Sequence, residues 1–349
     1  MTQNKMSMKK DHYFMRRCFE LARRGLGAAS PNPLVGAVLV HNDRIIGEGY
    51  HQKYGSAHAE VNALKAAAAH RHLFTTSTLY VSLEPCCFHG KTGACTNLII
   101  ENNIPKVVVS ALDATPEVNG KGIRILEAAG VKVRTGILKK EGDALAAARN
   151  TFVIHERPYT ILKFAQSRDR FIGQNDQQVW LSNTYSKRLV HKWRSEIDAI
   201  LIGTNTARID NPALTTRDYF GTSPLRIVLD RTGRLPGDLQ LWNDKAPTLV
   251  VSEQTKHPHC NHVFSHPFGE QLLPALLHYL YDQKIGNLLV EGGRQLLDSF
   301  IKQALWDEAR VLTGNSYLYD GIVAPIMPQS PQQSLTLDDN RMDWYFREN

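Results

Sequence analysis

The feature that most constrains the fold of this chain is a set of soft metal ligands that must be gathered from separate places. His58 opens His58-Ala59-Glu60, Cys86 closes Leu83-Glu84-Pro85-Cys86, and Cys95 follows nine positions later. Three protein ligands are what a catalytic zinc keeps, leaving a fourth position for a water whose pKa falls toward neutrality. Glu60 is then the carboxylate left over. In hydrolytic zinc deaminases the carboxylate two residues after the ligating His is the general acid/base, and the pattern closes with P-C-x-x-C. The gap to the second Cys is longer here. A lone His-x-Glu is common as a helix-surface pair, and two buried cysteines beside an unrelated histidine are the bland alternative. The combination carries the zinc reading.

Local signals place these residues at the ends of elements. Ser56 is a candidate N-cap and the Ala-rich run from Glu60 to Ala69 predicts a helix, with His58 and Glu60 in its first turn. Leu79-Tyr80-Val81-Ser82-Leu83 predicts a buried strand that delivers Glu84, Pro85 and Cys86 to its end. A second helix is expected from about Cys95. Ligands near helix N-termini gain from the positive end of the dipole, which favours thiolates.

At 349 residues the chain exceeds the size of a single core, so two domains are expected. Cys18, Cys86, Cys87, Cys95 and Cys260 are too few and too scattered for a disulfide framework. There is no apolar leader and no apolar run long enough to span a bilayer, so a cytoplasmic protein without a membrane partner is expected. Charge is uneven. Residues 1–150 carry 20 Lys+Arg against 12 Asp+Glu, whereas residues 151–349 carry 21 against 22. The basic excess therefore accompanies the zinc motif, which suits either nucleic acid or a small phosphorylated substrate. For Lys9, Lys10, Arg16, Arg17, Arg23 and Arg24 a solvated helix face is the plainer reading.

The first half alternates helix and strand. Phe14, Cys18 and Leu21 share a face of a helix from about Asp11 to Arg24, which makes Cys18 a core residue. A hairpin of Leu34 to Val40 and Ile45 to Tyr50 turns at Asn42-Asp43. Strand Lys106 to Ser110, helix Gly122 to Ala129, strand Val131 to Val133 and a connecting helix Lys139 to Asn150 complete an α/β layer pattern.

Ser30-Pro31-Asn32-Pro33-x-Val35-Gly36, Gly47-Glu48-Gly49-Tyr50-His51, His58-Ala59-Glu60-Val61, and Leu83-Glu84-Pro85-Cys86 with its gap to Cys95 resemble the bifunctional riboflavin-biosynthesis deaminase/reductase family. The resemblance covers nearly the whole chain. It implies an N-terminal cytidine-deaminase-like three-layer domain over 1–150 and a C-terminal dihydrofolate-reductase-like α/β domain over 151–349. The first would hydrolyse the 2-amino group of a diaminopyrimidinone carrying a ribosylamino 5-phosphate, with Asn32, His51 and Lys91 touching substrate. Three departures bear on that site: Cys87-Phe88 stands where the family has Ser-His, Gly93-Ala94 stands for Pro-Pro before the second zinc Cys, and Asp113-Ala114-Thr115-Pro116 stands for Asp-Pro-Asn-Pro, so that an asparagine contact is replaced by Thr115 or lost.

In the second half, Tyr159 to Gln166, Ala199 to Ile202, Leu225 to Asp230, Thr248 to Val251 and Asn287 to Glu291 predict strands, with helices Ser182 to Ser195 and Gln271 to Gln283 between them. Such alternation predicts a largely parallel sheet. No G-x-G-x-x-G follows any of these strands. Glu291-Gly292-Gly293-Arg294 does sit between a strand and an amphipathic helix, where backbone N–H groups can cradle a phosphate. Lys163-Phe164-Ala165, Gly203-Thr204-Asn205-Thr206, Asp210-Asn211-Pro212-x-Leu214 and Arg226-Ile227-Val228-Leu229-Asp230 resemble the family's NADPH-dependent reductase, which turns the ribosyl group into a ribityl chain. That resemblance implies Ala165, Trp180, Thr206, Asp210 and the run Gly293, Arg294, Gln295, Leu296, Leu297, Asp298 and Ser299 at NADPH. It implies Lys163, Gln178, Arg194, Leu214, Arg217 and Glu291 at substrate, with Arg194 and Arg217 suited to its phosphate.

The family's Ser-Leu-Asp-Gly reads Ser167-Arg168-Asp169-Arg170 here, and Ser-x-Trp reads Gln178-Val179-Trp180. His257-x-His259-Cys260-x-His262 has ligand types at metal spacing, but its flanks suggest a surface loop. Zinc and NADPH are the cofactors expected, with a phosphorylated pyrimidine as the small-molecule partner and a homo-oligomer left open. The rival readings are a tRNA or nucleobase deaminase, which the basic first half would suit, and a chain whose second half only makes interactions.

Overall fold

The computed structural model describes residues 2–88, 93–174 and 177–347, the side chains of 2–7 excepted. Contacts divide the chain into Met1–Arg157 and Pro158–Asn349. The division falls seven residues beyond the 150/151 boundary expected from sequence, because the connecting helix runs on to Ile154 instead of stopping at Asn150.

In the first unit the elements are α1 (Thr2–Arg23), β1 (Gly36–His41), β2 (Arg44–Tyr50), α2 (Ala59–Ala66), β3 (Thr78–Leu83), α3 (Cys95–Glu101), β4 (Lys106–Ala111), α4 (Lys121–Ala128), β5 (Lys132–Arg134) and α5 (Lys139–Ile154). The sheet order is β2-β1-β3-β4-β5, antiparallel at the hairpin end and parallel from β3 onward. Asn42 and Asp43 both take positive φ, as a tight hairpin turn requires.

Side-chain alternation along the strands separates two apolar layers. Val38, Val40, Tyr80 and Val108 face Phe14, Met15 and Cys18 of α1. Ala37, Leu39, Leu79, Val81, Val107 and Val109 face Ala59, Ala63 and Leu64 of α2, Ile99 of α3 and Leu126 of α4. The result is a helix–sheet–helix sandwich with Cys18 in the core as expected. Helix α2 lies almost on the backbone of β2: a Cβ on Gly49 would stand 2.3 Å from Ala63 N, and one on Gly47 would stand 2.3 Å from Ala63 O. Only glycine permits that approach, and it sets where the start of α2 comes to rest.

In the second unit the elements are β6 (Tyr159–Gln166), β7 (Phe171–Gly173), α6 (Thr184–Glu196), β8 (Ala199–Ile202), α7 (Thr204–Asp210), β9 (Leu225–Leu229), β10 (Thr248–Ser252), β11 (Val263–Ser265), α8 (Leu272–Asp282), β12 (Asn287–Val290), α9 (Arg294–Lys302), β13 (Glu308–Thr313), β14 (Ile322–Val323), β15 (Gln333–Leu337) and β16 (Asn340–Phe346). A nine-stranded sheet runs β11-β10-β9-β8-β12-β6-β13-β16-β15. It is parallel from β11 to β13, and β16 and β15 close the edge antiparallel. The parallel expectation holds for the interior, where strands are apolar on both faces. Leu162, Leu201 and Leu288 pack toward α8 and α9, while Ile161, Ile200 and Leu289 pack toward Leu214 and Leu241.

Candidate active sites

In the first unit His58 is the N-cap residue of α2 with extended backbone, so it stands one step before the first turn in which it was expected. Ser56 does not cap the helix; its hydroxyl bonds within its own turn, donating to Lys53 O at 2.6 Å. Glu60 remains in the first turn and is buried. Cys86 follows the end of β3 and Cys95 is the first residue of α3. The three ligand atoms lie within 4.8 Å of one another, the one such metal-ligand group among the described residues. His58 Nδ1 is 3.3 Å from Cys95 Sγ and 3.4 Å from Cys86 Sγ, and the backbone N–H of Cys95 donates to Cys86 Sγ at 3.4 Å.

One imidazole and two thiols converging in this way fit zinc, whose structural chemistry favours N and S donors in a tetrahedral set. Cys87 points elsewhere, its thiol donating to Glu117 O at 3.3 Å, so the adjacent cysteine does not compete for the ligand position. Hydrogen bonding from Cys95, then from His58, draws the Cys86 thiol down to about 4, and bonding to Cys86 raises His58. Burial raises the Glu60 carboxyl to about 7.

His58, Glu60 and Cys86 line a cavity of about 210 Å³ together with Asn32, His51, Phe88, Asp113, Thr115 and Arg149. His51 Nδ1 donates to Ala57 O at 3.1 Å, so Nε2 is the acceptor for Asn32 Nδ2 at 3.0 Å. Burial depresses the His51 pKa, consistent with a neutral ring. Lys91 lies outside the described residues.

Sequence reasoning missed the part played by Glu84. Its carboxylate accepts from the backbone N–H groups of Asp113 (3.4 Å), Gly120 (2.9 Å) and Ile123 (3.3 Å), and it thereby pins the loop that carries Asp113 and Thr115. Its place in Leu-Glu-Pro-Cys was the available signal.

In the second unit, Lys163 in β6 is level with Glu291, which follows β12, because Leu162 pairs with Val290. Glu291 Oε2 accepts from Arg194 Nη2 at 2.8 Å. Burial works to raise the Glu291 pKa, yet Arg194 and Lys163 together hold it below the ordinary value. Burial lowers Lys163, with Glu291 opposing. His191 is also buried. Its Nδ1 accepts from the backbone N–H of Arg217 at 3.3 Å, its Nε2 is 3.3 Å from Asp218, and burial followed by Arg194 brings its pKa down to about 4. Thr206 and Gly293 are neighbours, since a Cβ on Gly293 would meet Thr206 Oγ1 at 3.4 Å. The cluster thus stands at the carboxyl ends of β6, β8 and β12, where parallel α/β sheets bind ligands.

The remaining expected residues differ in burial. Leu214, Leu296 and Leu297 are buried in the apolar core, so their side chains serve packing rather than a groove wall. Gln178, Trp180, Arg217, Arg294 and Gln295 are exposed, with Lys187 Nζ 5.9 Å from the Trp180 ring centroid. Ala165, Asp210, Asp298 and Ser299 are half-buried, and burial raises Asp210.

Sequence reasoning did not single out Arg226 as a structural residue. Fully buried in β9, its guanidinium donates to the carbonyls of Ala213 (3.4 Å), Gln240 (3.1 Å), Asn243 (2.7 Å) and Ala246, fixing the loop that follows Asp210. The His257–His262 segment is a largely exposed loop as expected, except that the His257 ring is buried against Asp230, Nε2 to Oδ2 at 3.0 Å, and the Asp230 carboxylate also accepts the N–H groups of Arg234 and Leu235.

A three-layer unit with a His/Cys/Cys group beside a buried Glu, followed by a parallel-sheet unit with a charged cluster at its strand ends, defines a bifunctional zinc deaminase and reductase. The first unit matches the cytidine and deoxycytidylate deaminase zinc-binding region over residues 8–111, and the second matches the RibD C-terminal domain over 158–341. The riboflavin biosynthesis protein RibD of Synechocystis sp. is 41% identical, covering 97% of this chain and 96% of its own, and that of Aquifex aeolicus is 34% identical with 95% coverage of both. Among solved structures, the diaminohydroxyphosphoribosylaminopyrimidine deaminase/5-amino-6-(5-phosphoribosylamino)uracil reductase of Thermotoga maritima superposes with a TM-score of 0.89 at 31% identity, covering 97% of this chain and 99% of that one. The chain belongs to the RibD family of riboflavin biosynthesis, whose members join a deaminase to a reductase.

Proposed function

We propose that His58, Cys86 and Cys95 hold zinc while Glu60 transfers protons in hydrolysis of the 2-amino group of 2,5-diamino-6-(5-phosphoribosylamino)pyrimidin-4-one. The observation that carries this reading is the convergence of three ligand atoms within 4.8 Å, with His58 and Cys86 on the wall of a cavity that also holds buried Glu60. Zinc bound there supplies the polarisation that makes water a nucleophile near neutral pH. Glu60 takes the two protons of the attacking water in turn and passes one to the adjacent ring nitrogen and one to the leaving nitrogen; the water oxygen becomes the new carbonyl and ammonia departs. Asn32, oriented by neutral His51, holds the polar edge of the pyrimidine, and Lys91 is assigned to substrate with them.

In the second unit Lys163, Arg194 and Glu291 hold the sugar chain of the deaminated product, with Arg217 at its phosphate. Thr206, Asp210 and Gly293 flank the nucleotide. NADPH bound there supplies the hydride that converts ribosyl to ribityl. No helix among the described residues is long and apolar enough to cross a membrane. The test is Glu60→Gln. Zinc content should stay at one per chain while ammonia release falls by roughly 10²–10⁴-fold, the contribution of a positioned acid/base. Undiminished ammonia release would remove Glu60 from the mechanism.

A further inference from the structure

A substrate that ends in a phosphate brings about two negative charges into a cavity already lined by Glu60, Glu84 and Asp113. Glu84 is consumed by three backbone N–H groups, and Asp113 Oδ1 accepts from Thr115 N at 2.8 Å. The two imidazoles on the wall offer no standing charge: His58 is a zinc ligand in the reading above, and both nitrogens of His51 are engaged by Ala57 O and Asn32. Among the described lining residues Arg149 of α5 is the one permanent cation. Its Nη2 donates to Thr115 Oγ1 at 3.4 Å.

We propose that Arg149 is a substrate-binding residue of the deaminase cavity, anchoring the 5-phosphate together with the Thr115 hydroxyl. A guanidinium matches two phosphate oxygens at once and stays charged at every working pH. A hydroxyl that accepts from the guanidinium still has its own hydrogen to donate, so Thr115 extends the anion site by one neutral donor. The loop carrying Thr115 is fixed by Glu84, which places both groups before substrate arrives. The assignment rests on the deamination reading and makes it specific: the cavity selects a nucleotide-like phosphate ester over the corresponding nucleoside-like compound.

The test uses the full-length zinc-loaded chain, following ammonia release from the diaminopyrimidine ribosylamino 5-phosphate and from its dephosphorylated counterpart, with ribose 5-phosphate as a competing probe. Arg149→Gln should raise KM for the phosphorylated compound about 10–100-fold, the worth of one or two charge-assisted hydrogen bonds. It should weaken ribose 5-phosphate inhibition in parallel, change kcat little, and affect the dephosphorylated compound far less. Arg149→Lys should recover part of the loss. Thr115→Val, which leaves the guanidinium in place, should raise KM several-fold for the phosphorylated compound alone and serves if Arg149→Gln does not fold. An unmoved KM, or equal loss with both compounds, would overturn the proposal and reduce Arg149 to a tie between α5 and the loop. If the parent chain released no ammonia from either compound, the deamination reading itself would fall and the assignment with it.

Discussion

His51 and Asn32 are joined by a 3.0 Å contact in which the ring nitrogen accepts, because the other nitrogen is spent on Ala57 O. In the deamination proposed above, the histidine is then a holder that decides which edge of the Asn32 amide would meet the pyrimidine. His51→Ala should lower kcat/KM for ammonia release by roughly tenfold or more, the cost of losing one oriented neutral hydrogen bond, with zinc content unchanged. His51→Gln, which can keep an acceptor near Asn32, should lose less. Equal losses in the two variants would show that the ring matters for something other than that bond.

The ligand assignment separates two neighbouring cysteines. Cys95→Ala should bring zinc below one per chain, and Cys86→Ala likewise, whereas Cys87→Ser should bind a full equivalent, since its thiol points to Glu117 O. Metal analysis of the dialysed proteins decides this. Full zinc in Cys95→Ala, or depleted zinc in Cys87→Ser, would reassign the site.

The close seating of α2 on β2 predicts a stability effect with a functional consequence. Gly49→Val places a branched side chain where Ala63 N stands 2.3 Å from the Cβ position, so α2 must move. Overpacking of this kind costs roughly 1–3 kcal/mol or more. Thermal unfolding should show a lower midpoint and zinc affinity should fall, because His58 caps the displaced helix. An unchanged midpoint would mean that the helix can slide without strain.

The zinc half of the site was legible in the sequence because its ligands fall at element ends that carry their own signals: an apolar strand before Cys86 and an Ala-rich run after His58. What could not be read depends on tertiary neighbours. Arg149 shows no local pattern and gains meaning only beside Thr115; Glu84 looks like part of a motif but acts through the backbone of a loop 29 to 39 residues later. The side chains of Leu214, Leu296 and Leu297, residues expected beside ligands, pack in the core. The antiparallel edge of β15 and β16 escaped notice because its outer strand is mostly exposed and weakly apolar.

His191 supplies a pH dependence whose sign can be worked out. Its folded pKa is about 4 against an ordinary 6.5, so the unfolded chain takes up the proton first as pH falls. The associated stability is fully present above about 6.5 and is lost as pH drops from there toward 4. Thermal midpoints of the parent should decline across that window, and His191→Gln, which has no titrating ring, should decline less. Parallel curves would show that the ring does not titrate differently in the two states.

The central claim is that one chain performs two chemistries in sequence, each with its own residues. The most direct measurement supplies diaminopyrimidine phosphate and NADPH together and follows ammonia and NADPH absorbance in the parent, Glu60→Gln and Asp210→Ala proteins. The parent should release ammonia and then consume NADPH. Glu60→Gln should do neither with the starting compound, yet consume NADPH when given the deaminated compound. Asp210→Ala should release ammonia at nearly the parental rate while NADPH consumption falls sharply. NADPH consumption by Glu60→Gln from the starting compound at the parental rate, or collapse of ammonia release in a folded, zinc-loaded Asp210→Ala protein, would contradict the account.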